Sequence, residues 1–112
     1  LIATPEYNSS ISGALKNAID WASRSPQPPL GGKPVAIIGA STGNFGTLRA
    51  QLHLRQVLTH IGALPLGKPE VLVARAGQVF DAQGKLVDPT AQGFLGDLLT
   101  AFARWIQQVS PT

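Results

Sequence analysis

The chain has 112 residues, 44% hydrophobic and 13% charged, which supports one domain with a core and excludes a disordered tail. It contains no cysteine, which closes disulfide, thiolate-nucleophile and thiolate-metal chemistry and fits a cytoplasmic protein. Nine Lys and Arg against six acids give a net charge of +3, but the basic residues are scattered from Lys16 to Arg104. No nucleic-acid surface is therefore expected, and an anionic small ligand is the more economical partner.

In chain order, Leu1-Ile2-Ala3 reads as a buried strand that runs into the polar, Pro-stiffened turn Thr4-Pro5-Glu6-Tyr7-Asn8. A turn at the carboxyl end of a strand is where open α/β sheets place ligands. Leu15, Ala18, Ile19 and Ala22 then recur at helical spacing, with Ser12 as N-cap, and predict a helix over residues 13–24 that ends before Pro26. Residues 34–40 form a continuous apolar run, the pattern of a central strand buried on both faces. Ala50, Leu54, Val57, Leu58 and Ile61 mark a second helix over residues 47–60, with Gly62 as its stop.

Val71, Leu72, Val73 and Ala74 supply a third strand, entered through Pro69. Residues 81–85 read as an exposed turn, whose flanks Val79-Phe80 and Leu86-Val87 fit either a hairpin or a short helix and loop. Leu95, Leu98, Leu99, Phe102, Ile106 and Val109 form a last helical stripe, approached through Pro89-Thr90. The order strand, helix, strand, helix, strand, helix specifies a parallel sheet covered by helices. No apolar run approaches the ~20 residues of a membrane helix and nothing resembles a signal peptide, so a soluble protein is expected.

Two loops can carry chemistry. Residues 5–10 can direct backbone N–H groups at a planar heterocycle with Tyr7 beside it, or form a surface turn with a half-buried tyrosine. Residues 41–46, Ser-Thr-Gly-Asn-Phe-Gly, let the backbone approach a ligand closely before a helix N-terminus, or form an ordinary strand-to-helix connection. Residues 39–43 also match G-x-S-x-G, but a serine hydrolase needs an acid and then a histidine downstream. His53 and His60 precede Glu70, Asp81, Asp88 and Asp97 and fall within the following helix, which disfavours that chemistry. Their spacing is not that of a metal pair, and no third ligand accompanies them. Glu6, the one acid in a candidate loop, is free to meet an interface partner or solvent.

Together the stretches PEYN (5–8), GALKNAIDW (13–21), LGGKPV (30–35), Ser41-Thr42-Gly43, RAQLHLRQ (49–56) and Lys68-Pro69-Glu70 resemble the NAD(P)H-dependent FMN reductases of flavodoxin-like fold, which include bacterial quinone and chromate reductases. The resemblance covers essentially the whole chain. It implies a non-covalent FMN that takes a hydride from NADH or NADPH and passes electrons to a quinone, flavin or similar acceptor. Pro5, Glu6, Tyr7 and Asn8 would lie along the isoalloxazine, largely through backbone groups, with Ser41, Thr42 and Gly43 flanking it. No catalytic side chain or metal is implied, since the cofactor carries the redox chemistry. A homodimer or homotetramer is implied too, with Arg49 of one subunit meeting Glu70 of another, although Leu52 stands where a close quinone-reductase pattern has an aromatic.

The resemblance further implies that residues 1–112 are one partial flavodoxin-like domain, supplying strands 3, 4 and 5 of a 2-1-3-4-5 sheet. At about 30 residues or more per βαβ unit, roughly 60 to 80 residues including a phosphate-binding loop would precede Leu1, and the first strand here would show a bare apolar edge. A flavodoxin-like binding module without catalysis is the alternative. A flavodoxin-type electron carrier is disfavoured by the basic charge.

Overall fold

The computed structural model describes residues 1–110. Three short strands, β1 (Ile2–Ala3), β3 (Ile37–Ala40) and β5 (Val71–Val73), form a parallel sheet in the order β1-β3-β5. That is the order expected of three successive strands of a flavodoxin-like sheet. The helices α1 (Gly13–Ser23) and α2 (Leu48–His60) provide the crossovers β1 to β3 and β3 to β5. Within the described residues β1 has one strand neighbour, β3, with Ile2 opposite Ile37 and Ala3 opposite Ile38.

The apolar run at 34–40 alternates between two cores, as a strand covered on both faces must. Val35 and Ile37 join Ile19, Leu54 and Leu58 on one side, while Ala36 joins Val71 and Leu98 on the other, with Ile38 packed against them. The run is not one strand, however. Its first two residues form β2 (Pro34–Val35), which pairs in parallel with β4 (Leu64–Pro65), and only Ile37 onward enters the main sheet. The segment carrying β4 and β5 contains three more residues than that carrying β2 and β3 between its paired positions, Pro34 facing Leu64 but Ile38 facing Val71. That excess lies between Leu66 and Glu70, with a bend at Lys68-Pro69, and divides the ladder in two. The strand at Leu64 is a correction to the sequence reading, which took these residues as connection.

Helix ends follow local chemistry where a cap residue is present. Ser12 accepts from Leu15 N–H at 3.0 Å to start α1, and Asp88 accepts from Ala91 N–H at 2.9 Å to start α4 (Pro89–Val109). The undecided segment after β5 turns out to combine both options. A four-residue helix, α3 (Ala76–Val79), precedes a turn closed by one antiparallel bridge, Phe80 to Leu86. Asp81 stabilises that turn by accepting from Gln83 and Lys85 N–H, both at 2.9 Å.

The α4 stripe needs a second correction. Leu98 is buried and Leu95 and Phe102 are half-buried, but Leu99 and Ile106 are exposed. The buried face of α4 carries Ala91 and Leu98, and Trp105 on the same helix donates its indole N–H to the Leu64 carbonyl at 2.8 Å. Among the described residues no helix is long and apolar enough to cross a membrane.

Candidate functional site

The loops after β1 and β3 leave adjacent parallel strands at the same end of the sheet, which brings residues 5–8 and 41–43 to that end. Tyr7 and Ser10 exchange two backbone hydrogen bonds, 2.9 and 3.0 Å. Between them Asn8 and Ser9 both have positive φ, 50° and 66°. This is a type I′ turn, a conformation Asn tolerates and serine seldom adopts. Tyr7, at 60% exposure, projects from the turn and is not half-buried. The Ser10 hydroxyl is 2.9 Å from His53 Nδ1 on α2, which ties the turn to that helix and occupies the imidazole away from Ser41.

Glu6 does not face solvent or the site rim. Its Oε1 accepts from the Ala50 backbone N–H at 2.9 Å, and Oε2 accepts from Arg49 Nε at 3.0 Å and pairs with Nη2 at 2.9 Å. Ala50 is the third residue of α2, and Thr47, the residue before the helix, is left-handed with no side-chain cap. Glu6 therefore caps α2 from another segment of the chain and complements the helix dipole. Its carboxyl is held below the usual range, chiefly by the Ala50 N–H and further by Arg49, against an opposing push from burial.

A carboxyl with a lower pKa folded than unfolded adds stability that is complete above the unfolded value and disappears as pH falls through the folded one. Glu6→Gln keeps the Ala50 bond but removes the charge pair, so a loss of about 1 kcal/mol is expected at neutral pH. The difference from wild type should shrink to nothing on acidification. Urea midpoints across the acid range measure it, and a constant difference at every pH would contradict this role. The Arg49 to Glu70 contact expected between subunits is not needed to satisfy either group, because Glu70 pairs with Lys68 at 3.2 Å.

The second loop is built by close approach. A Cβ on Gly39 would overlap Thr47 Oγ1 and lie 2.8 Å from the Thr4 carbonyl oxygen, so glycine lets Thr47 sit against the sheet. Ser41 N–H donates to the Val73 carbonyl at 2.9 Å. In return Ala76 and Arg75 N–H donate to the carbonyls of Ser41 and Gly43 at 2.8 and 2.9 Å. Thr42 and Gly43 stay exposed at the rim while Ser41 is half-buried. Behind the loop the buried Gln51 amide donates to Thr47 Oγ1 at 3.1 Å and to the Val71 carbonyl at 2.9 Å. The sequence reading included Gln51 in the stretch RAQLHLRQ but gave it no role of its own, although its 51-54-58 spacing places it in the apolar stripe with Leu54 and Leu58.

The two loops thus present amide, hydroxyl and aromatic groups, with exposed Arg75 reaching Asn44 Oδ1 at 3.5 Å and Glu6 turned inward. An open groove of about 1040 Å³ lies elsewhere, between α1 and α2, and shares with these loops only Ser10. Two backbone-rich loops at the ends of neighbouring parallel strands are where open α/β sheets, flavodoxin-like ones among them, place their ligands.

Comparison with known proteins narrows the class. The family model for NADPH-dependent FMN reductase matches residues 1–78. An NAD(P)H-dependent FMN reductase of Pseudomonas aeruginosa is 54% identical over 109 residues, which are 97% of this chain and 59% of that protein. A quinone reductase of Escherichia coli is 46% identical over 110 residues, 97% of this chain and 58% of that protein. Among solved structures, FerB, a flavoenzyme NAD(P)H:acceptor oxidoreductase from Paracoccus denitrificans, superposes with a TM-score of 0.85 at 39% identity, covering 96% of this chain and 59% of that one. The chain belongs to the NADPH-dependent FMN reductase family, and it spans a little under three fifths of the length of these relatives.

Proposed function

We propose that the protein is an FMN-dependent oxidoreductase that takes a hydride from NADPH or NADH and delivers electrons to a quinone, flavin or similar small acceptor. The observation that carries this reading is the backbone-rich rim at the ends of β1 and β3, free of an outward carboxylate among the described residues, in a chain of this family. The donor set fits an isoalloxazine. Pro5, Tyr7 and Asn8 would flank one side of the ring, with Glu6 contributing backbone only, and Ser41, Thr42 and Gly43 the other. With Glu6 neutralised by Arg49, no carboxylate opposes a ring that gains negative charge on reduction.

Bound FMN would supply the two-electron chemistry. This chain's residues orient it: the type I′ turn fixes Tyr7 and Asn8, and the bonds from Ala76 and Arg75 hold the second loop. The assembly proposed with this function is a homodimer or homotetramer. A cytoplasmic setting, where both nicotinamide donors are supplied, completes the reading.

Purified protein should turn yellow with FMN, quench its fluorescence, and oxidise NADPH or NADH in the presence of a quinone. Protein that binds FMN but shows no turnover would favour the non-catalytic module. Failure to bind FMN would sink the reading, and light scattering checks the assembly.

A further inference from the structure

Phe45 stands on the loop after β3 with 56% of its surface exposed. Single exposed apolar side chains are common, and exposure alone assigns nothing. Phe45 differs in being fixed from behind. The Arg49 guanidinium lies over its ring, 5.0 Å from the centroid. That guanidinium is itself held by Glu6 at 2.9 and 3.0 Å, and Glu6 is anchored on the Ala50 N–H at 2.9 Å. The line Ala50, Glu6, Arg49, Phe45 runs from the buried start of α2 to the open rim and joins the two site loops.

We infer that Phe45 is a specificity-determining residue whose ring stacks on the planar ring of an aromatic electron acceptor. The inference rests on the reductase reading above. Stacking requires a ring with an accessible surface and little freedom to lose. Arg49 occupies one face, which leaves the exposure of Phe45 to the rest of the ring, and the clamp restricts its rotation before any ligand arrives. Because the guanidinium is paired with Glu6, the preference is for aromatic planarity and not for negative charge. Acceptors are therefore sorted by shape: a quinone gains from Phe45, and a compact inorganic anion does not.

Steady-state kinetics on the purified, flavin-loaded protein with NADPH as donor test this, using a 1,4-naphthoquinone and ferricyanide as acceptors. Phe45→Ala should lower kcat/KM for the naphthoquinone by about three- to tenfold, mainly through KM, and leave ferricyanide within about twofold. Phe45→Trp should retain the quinone preference. Glu6→Gln, which loosens the clamp without touching the ring, should raise the quinone KM in the same direction. An equal loss with both acceptors in Phe45→Ala, or unchanged quinone kinetics, overturns the inference. A change in oligomeric state of Phe45→Ala would assign the ring to a subunit contact and overturn it as well. Wild type that reduces neither acceptor overturns the reductase reading itself, a result distinct from loss of discrimination.

Discussion

Gly46→Val should destabilise the fold by about 2 to 5 kcal/mol and abolish retention of FMN. Gly46 has φ of +56°, and a Cβ there would overlap the Leu72 carbonyl carbon and approach Leu72 O and Val73 N to 2.7 Å each. These are backbone atoms of β5, so no rotamer change relieves the overlap. Overpacking typically costs about 1–3 kcal/mol, and a β-branched residue in the left-handed region adds about 1–2 more. The damage falls on the site because Gly46 is followed by Thr47, also left-handed at φ 71°, and this pair turns the second loop into α2. Gly43→Ala is the control. A Cβ on Gly43 meets nothing within 4 Å, and stability should stay within about 0.5 kcal/mol of wild type. Urea unfolding of the two variants gives the comparison, and a Gly46→Val protein within 1 kcal/mol of wild type would refute the packing argument.

The residues that sequence pattern made legible are those whose reasons are local. Ser12 lies three residues before the N–H it caps, and the run at 34–40 shows its two-sided burial in its composition. The division of that run into β2 and β3 was not legible, because it depends on how many residues the paired segment inserts between Leu64 and Val71. Leu99 and Ile106 were misplaced for a similar reason. A 21-residue helix with apolar groups over a broad arc has several possible buried faces, and the one buried here meets segments far off in sequence, among them Leu64, 41 residues from Trp105.

At the candidate site the family stretches located both loops, and the local pattern could not give the direction of Glu6. Its partners Arg49 and Ala50 lie 43 and 44 residues further on. Nothing within the loop distinguishes an acid that meets a ligand from one that caps a distant helix. Thr47 directly precedes α2 but makes no side-chain cap. Here its hydroxyl accepts from Gln51 instead, and the vacant capping role passes to Glu6.

Leu54→Ala should lower stability by about 2–5 kcal/mol, the range for a fully buried leucine whose surroundings only partly collapse. Leu54 has no exposed surface and packs in the core formed by α1, α2 and the sheet. The urea midpoint should fall with little change in slope, whereas Leu52→Ala, two residues earlier and 52% exposed, should stay within about 0.5 kcal/mol of wild type. The variant also reports on how the core reaches the site. Leu54 lies one helical turn beyond Ala50, whose N–H is the anchor of Glu6. Close neighbours that share a backbone segment couple by about 0.5 kcal/mol or more, so the cost of Glu6→Gln should be smaller in the Leu54→Ala background than in wild type. Full additivity of the two would mean that the loop is held by the capping bond alone, with no help from the packing of α2 beneath it.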